Sequence, residues 1–381
     1  ANEAEAAAVR QVVPSLDVRI ADDLASVVAY FRGERALASP AAPGTSSDAA
    51  ARVGCVDLSD VRGQAGAKRA LEIAAAGNHD LLFIGPPGAG KTMLARRMST
   101  ILPPLADDEA LEVTAIHSVA GTLAPHAGLC RVRPFRSPHH TVSDAGLLGG
   151  GEPPRPGELS LAHGGVLFLD EMPEFRRPAL EGLRQPLEDG TITIARARSR
   201  ATFPARPLVL GAMNPCPCGH LGASSQRCRC SSERILHYRS RISGPIVDRL
   251  DLHVALPPVE IAALSAARSS VGESSATVRA RVCEARHVQR ARSDVGARVN
   301  ARLSARELEL VARPDAKGAQ LIEAAMVRLG LSARAYAKVL RIARTIADLE
   351  GVDAVRTQHV AEAIEYRLLD RAPDLHTRAS A

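Results

Sequence analysis

The run Gly85-Pro-Pro-Gly-Ala-Gly-Lys-Thr92 has the residue types and spacing of a phosphate cradle, G-x-x-x-x-G-K-[ST]. Gly85, Gly88 and Gly90 let the backbone curl until its N–H groups point at phosphate oxygens. Pro86, Pro87, Ala89 and Met93 complete the wall, Lys91 reaches the β and γ phosphates, and Thr92 offers a hydroxyl to Mg2+. Hydrolysis also needs a carboxylate for the metal and a group that directs water. "GVLFLDE" (165–171) offers both, Asp170 for Mg2+ and Glu171 to polarise the water; an ordinary acidic strand end is the alternative. Asn214, at the end of "PLVLGAMN", can orient the same water or merely start a turn before Pro215. Arg249, in "SGPIVDRLDLHV", lies between a helical segment and a strand. It can neutralise transition-state charge or simply pair with Asp248 or Asp251. Arg334 sits one residue into a helix that Ser332 can cap.

A second chemistry is written into "NPCPCGHLGASSQRCRC" (214–230), which holds four of the chain's seven cysteines. Zinc takes four thiolates tetrahedrally, and Cys216, Cys218, Cys228 and Cys230 form two close pairs with nine residues between them to turn back. Each pair is C-x-C, tighter than the common C-x2–4-C spacing, and His220 could replace one sulfur. Free reduced thiols and disulfides are the alternatives. A closed four-cysteine site leaves no open position, so its role would be structural.

These groups need a scaffold. "DLLFIG", "GVLFLDEM" and "PLVLGAMN" are short apolar runs of the kind buried in a sheet. Helical segments such as "AGAKRALEIAAAG" and "RPALEGLRQPLEDG" lie among them. The alternation predicts an α/β fold, a mostly parallel sheet flanked by helices. From about 275 onward strands give way to helical periodicity in "TVRARVCEARHVQRARS", "AQLIEAAMVRLG", "SARAYAKVLRIARTIADLEG" and "RTQHVAEAIEYRLLD", an α-helical lid domain. Ahead of the core, "IADDLASVVAYFRG" is amphipathic and "ASPAAPGTSSDAA" reads as a linker.

Composition sets the outer bounds. The chain has 381 residues, 46% of them hydrophobic, with no Trp and 3% aromatics, so its core must be built from Ala, Leu, Val and Ile. A formal charge of +6 suits a polyanionic partner without requiring one. No run of about twenty apolar residues exists to span a membrane. A reducing, cytoplasmic setting is expected, which favours metal over disulfide at the clustered cysteines.

The combination of "AKRALEIAAAGNHDLLFIGPPGAGKT", "FRSPHHTVSDAGLLGGG", "PGELSLAHGGVLFLDEMPEF", "NPCPCG", "SGPIVDRLDLHV" and "SARAYAKVLRIARTIADL" closely resembles the YifB/ComM family. These are AAA+ ATPases related to the magnesium chelatase ATPase subunit and to MCM helicases. The resemblance covers about residues 54–370. It implies an ATP- and Mg2+-dependent homohexameric ring, with Asn214 as sensor 1, Arg249 as an arginine finger on the next subunit's γ-phosphate and Arg334 as sensor 2. It further implies a branch-migration motor on branched DNA in recombination or natural transformation. The domains would then be 1–35, the last piece of a Lon-protease-like domain; 36–53, a linker; 54–262, the AAA+ core; and 263–381, the lid. Two insertions would mark the clade, one in 117–151 where a hairpin interrupts a helix, the other a hairpin near 190–207. In the second, Arg196, Arg198 and Arg200 recur with period two, so on a strand they would share a face and could grip DNA phosphates without reading sequence; otherwise they only solubilise the hairpin. His139 and His140, were they adjacent strand residues, would face opposite ways, against a two-His metal site; a loop role in DNA contact or subunit packing is expected instead. A protein-remodelling ATPase and a magnesium chelatase motor share the nucleotide machinery and are the rival functions.

Overall fold

A computed structural model describes residues 6, 16–39, 56–123, 128–196, 199–222, 228–258, 272–292, 295–296, 298–367 and 369. Nine strands are described: β1 Leu81–Ile84, β2 Phe135–Arg136, β3 Gly149–Gly150, β4 Arg155–Pro156, β5 Val166–Leu169, β6 Thr191–Ala195, β7 Arg200–Pro204, β8 Leu208–Met213 and β9 Leu252–Ala255. Five form one sheet in the order β2-β5-β8-β1-β9, and every pairing in it is parallel. Strands covered by helices on both faces must be apolar throughout. Accordingly β5 and β8 are buried along their whole length.

The three apolar runs anticipated from sequence are β1, β5 and β8. The two-residue edge strand β2 was not anticipated. It lies inside the segment expected as the first insertion and is too short to carry a period. It is fixed instead by tertiary contact, with Phe135 and Phe168 ring centroids 6.3 Å apart. The hairpin in that region is β3/β4, following helix Asp144–Leu148. The second insertion is the antiparallel hairpin β6/β7. The two insertions pack together: a Cβ on Gly149, at φ 104, would lie 2.5 Å from Ile194 Cδ1.

The helical region is set by side-chain caps. Ser274, Ser304, Asp315 and Ser332 each accept a backbone N–H at the start of helices Ser275–Ala291, Ala305–Val311, Ala316–Leu329 and Ala333–Leu349. It shares a hydrophobic core with the α/β layer, in which Ala70, Leu71 and Ala74 of helix Ala65–Gly77 pack with Val282, Val339 and Ile346. Gly77 permits this closeness, since a Cβ there would lie 2.1 Å from His79 Nε2 and 2.6 Å from Thr345 Oγ1. Polar ties cross the same boundary: His79 Nε2 to Thr345 Oγ1 at 2.8 Å and Lys338 Nζ to Asp251 Oδ1 at 2.9 Å.

Near the start, helix Leu24–Phe31 is capped by Asp23, yet Leu24 and Phe31 are 77% and 82% exposed. The 36–53 segment falls largely outside the described residues. Among the described residues, no helix is long and apolar enough to cross a membrane.

Candidate nucleotide site and metal knot

In a parallel sheet all carboxyl ends open on one edge, where ligands gather. Gly85 follows β1, Asp170 follows β5 and Asn214 follows β8. The loop turns with Gly88 at φ 77 and Gly90 at φ 91, left-handed values that favour glycine. Helix Lys91–Ile101 then starts. Lys91, Thr92 and Met93 are its first three residues, whose N–H groups have no intrahelical acceptor and can serve an anion. The Met93 side chain is itself 46% exposed.

Lys91 Nζ donates to Gly85 O at 2.6 Å, Pro86 O at 3.0 Å and Asn214 Oδ1 at 2.9 Å. Burial pushes its pKa down, opposed by the Asp170 and Glu171 carboxylates. Thr92 Oγ1 donates to Asp170 Oδ2 at 2.7 Å. The two oxygens expected to serve one divalent cation are thus neighbours, and the donor set, a hydroxyl beside a carboxylate, is the hard-oxygen set Mg2+ prefers. Glu171 follows at φ 51, a left-handed position for a non-glycine residue. Its carboxylate meets His140, Nδ1 to Oε2 at 3.2 Å. His139 and His140 fall in a loop, as expected. They lie in a turn rather than a strand, with ring centroids 4.1 Å apart. Gln64 was also missed: its Nε2 donates to Ala89 O in the loop at 3.2 Å and to Pro257 O at 2.9 Å. Nothing local in sequence marks Gln64 or ties His140 to Glu171, because both contacts span long chain separations.

The cysteine knot sits against this loop. Cys216, Cys218, Cys228 and Cys230 sulfurs all lie within 4.8 Å of one another. Three of their separations are 3.4, 3.7 and 3.6 Å. Sulfurs at about 2.3 Å from a tetrahedral zinc stand about 3.8 Å apart, whereas a disulfide needs about 2.05 Å. The four thiols therefore fit zinc, all are free of disulfides, and His220 is not in the cluster. The His220 N–H donates to Cys218 and favours its thiolate, while burial pushes the Cys216 thiol up. Gly219, at φ 80, lies on the nucleotide loop: a Cβ there would be 2.5 Å from Pro87 Cδ. Arg239 ties the base of the knot by donating to Pro215 O at 3.2 Å.

Arg249 and Arg334 stand elsewhere. Both line a cavity of about 770 Å3 whose wall includes Asp80, just ahead of β1, and Asp251, just ahead of β9. This is the amino edge of the sheet, where Asp80 O accepts the Asp251 N–H at 2.8 Å. A four-residue strand spans roughly 13 Å, so neither arginine shares the phosphate loop's edge. Arg249 pairs with Glu188 at 2.5 Å, not with Asp248 or Asp251. Arg334 is the second residue of a helix whose cap, Ser332, accepts the Ala335 N–H at 3.2 Å. Arg206, Arg302, Lys338 and Arg341 line the same cavity.

Arg196 and Arg200 of the second hairpin do not share a strand face. Ala195 pairs with Arg200, and the Arg196 N–H donates to Ser199 O at 2.8 Å. The turn therefore falls within the arginine run, leaving Arg196 at the tip and Arg200 on β7. Arg198 lies outside the described residues. The Arg196 guanidinium rests over the first insertion, 3.3 Å from where a Gly150 Cβ would be.

Comparison with known proteins gives a family match along most of the chain. The model described as "Magnesium chelatase, subunit ChlI" matches residues 57–264, and that for its C-terminal domain matches 272–367. YifB of Salmonella typhimurium is 48% identical over 356 residues, 92% of this chain and 67% of that protein. The competence protein ComM of Haemophilus influenzae is 43% identical over 364 residues, 94% of this chain and 70% of that protein. More distantly, the DNA replication licensing factor Mcm6 of Anopheles gambiae is 25% identical over 242 residues, 58% of this chain and 27% of its own length.

Proposed function

Because the chain belongs to the magnesium chelatase ChlI family of AAA+ ATPases, within its YifB/ComM group, we propose that it is an ATP-driven ring motor that engages branched DNA and drives branch migration. The observation that carries the motor reading is the division of its charged groups between two sheet edges. Lys91, Thr92, Asp170, Glu171 and Asn214 gather at the carboxyl edge, Arg249 and Arg334 at the amino edge. Two arginines suited to a γ-phosphate but remote from their own phosphate loop could reach one only on a second copy. A closed ring, hexameric in our reading, supplies each site with both halves. Lys91 holds the phosphates, Asn214 orients the water, Glu171 takes its proton, and Arg249 and Arg334 from the neighbour neutralise developing charge. Mg2+, held by Thr92 and Asp170, would supply charge compensation on the phosphates.

The DNA reading rests on the paired insertions, with Arg196 and Arg200 beside one exposed tip, on the net charge of +6 and on the likeness to Mcm6. Such contacts grip phosphate rather than read bases. A DNA substrate implies work in the cytoplasm. With a non-hydrolysable ATP analogue, the protein is expected to retain a four-way junction better than duplex or single strand. Changing Arg196 and Arg200 to Ala should weaken binding to every sequence alike and flatten the salt dependence, by about one unit of slope per lost phosphate contact. No preference for the junction, and no strand exchange with ATP, would transfer the reading to a protein-remodelling or chelatase motor.

Cys216, Cys218, Cys228 and Cys230 would hold a structural zinc that clips the chain between Asn214 and Arg249. Protein purified without added zinc is expected to carry about one zinc ion per chain. Its removal should expose residues 214–230 to protease and weaken ATP binding through the Gly219–Pro87 contact. Elemental analysis finding far less than one ion per folded chain rejects the knot as a zinc site.

A further inference from the structure

Arg249 and Arg334 come from different parts of the chain, the turn ahead of β9 and the lid helix Ala333–Leu349, yet both act on one carboxylate. The Arg249 guanidinium, and more weakly that of Arg334, hold the Glu188 carboxyl below its ordinary range. What ties their two backbones together is buried. Lys338 follows Arg334 by one helical turn, so the two side chains leave the same face. The Lys338 side chain is 10% exposed, and its ammonium meets Asp251 Oδ1 at 2.9 Å. It also donates to Leu250 O at 3.2 Å. Leu250 and Asp251 are the residues that follow Arg249. The other Asp251 oxygen meets His79 Nδ1 at 3.2 Å, and His79 Nε2 meets Thr345 Oγ1 at 2.8 Å. Thr345 lies two turns beyond Lys338, on the same helix face. The lid helix is thus fastened to the Arg249 turn at two points, both through Asp251. Arg367, fully buried, donates to Leu250 O at 2.9 Å and to Asp251 O at 3.1 Å. Burial opposes the Asp251 charge, but the Lys338 ammonium outweighs it and holds the carboxyl well below the usual carboxylate range.

On the reading that Arg249 and Arg334 serve a neighbouring subunit's ATP, we propose that Lys338 is a positioning residue that locks the two arginines into one unit and offers them together to the phosphates of the next subunit. A buried ion pair adds little stability over apolar packing. What it supplies is direction. Ammonium, carboxylate and carbonyl must meet at hydrogen-bond distance, which fixes the lid helix against the Arg249 turn. A group displaced by about 1 Å from its productive place costs about a hundredfold in rate. Lys338 lines the amino-edge cavity with the two arginines, away from its own phosphate loop. Its loss should therefore slow hydrolysis next door without weakening ATP binding at home.

Lys338→Met alone would strand the Asp251 charge in the interior and is expected to destabilise the fold. The test uses the full chain with Lys338→Met and Asp251→Asn together, which roughly keeps side-chain size and removes both charges. Its kcat for ATP is expected to fall about ten- to a hundredfold, with the ATP dissociation constant within a factor of about two. Mixing it with Glu171→Gln subunits should restore hydrolysis, because an intact Glu171 then meets a neighbour's properly held arginines. An ion pair that serves only its own subunit gives no such recovery. An unchanged kcat overturns the assignment. Loss of the fold in this charge-free variant overturns it too, since the pair would then serve stability. So does a mixture that stays inactive while Arg249→Ala mixed with Glu171→Gln recovers. Failure of the parent reading looks different: the Arg249→Ala mixture stays inactive as well.

Discussion

Glu171→Gln is expected to bind ATP as well as the unaltered chain and to hydrolyse it at least a hundredfold more slowly. The exchange keeps size, shape and the hydrogen-bond reach of the side chain. Gln also tolerates the left-handed backbone at φ 51 as Glu does. What is lost is the basic carboxylate, and general-base catalysis contributes about 10^2- to 10^4-fold. The groups proposed to hold the phosphates and the metal, Lys91, Thr92 and Asp170, are untouched, and their mutual contacts do not run through Glu171. Equilibrium binding of a fluorescent ATP analogue and single-turnover phosphate release separate the two effects. Normal turnover in Glu171→Gln would remove Glu171 from its role and leave Asn214 and Lys91 to be tested as the water-directing groups.

Arg249→Ala is expected to cost about 10^3-fold in kcat, the range measured for an arginine that neutralises phosphoryl transition states. The cost should fall on the neighbouring subunit. Arg249 lies on the amino edge beside Glu188, whereas its own phosphate loop lies on the carboxyl edge. Mixing Arg249→Ala subunits with Glu171→Gln subunits, each nearly inactive alone, should therefore restore hydrolysis wherever an intact Glu171 meets a neighbour's intact Arg249. No recovery in the mixture would mean that each subunit works alone and would defeat the shared site. Pairing with Glu188 has a second consequence. The guanidinium must leave a 2.5 Å contact to reach a phosphate, so Glu188→Gln should tighten the mutual dependence of subunits rather than abolish it.

The legible part of this protein is the part whose chemistry is contiguous. Gly85–Thr92 reads as a phosphate loop because one turn of backbone supplies its glycines, its lysine and its hydroxyl. β1, β5 and β8 read as strands because burial on both faces leaves an unbroken apolar run. The four cysteines read as a ligand set because two close pairs frame a turn. Elsewhere local pattern misled. Period two in Arg196, Arg198 and Arg200 suggested one strand face, but the Ala195–Arg200 pairing sets the hairpin turn inside that run. His139 and His140 read as loop residues, and the turn stacks their rings, which no local period encodes.

By itself, the sequence determined the glycine-rich loop Gly85–Thr92, the acidic pair at Asp170 and Glu171, the four clustered cysteines and the layered α/β-then-helical order. Each rests on spacing along the chain. Only the tertiary structure decided what those groups face. It packed the knot's Gly219 on Pro87, engaged Glu171 with His140, and set Arg249 and Arg334 on the edge opposite Lys91. The physical reason is the parallel sheet. It gathers the carboxyl ends of strands distant in sequence onto one edge and their amino ends onto the other. Strand order, which no local period encodes, therefore fixes which side chains meet.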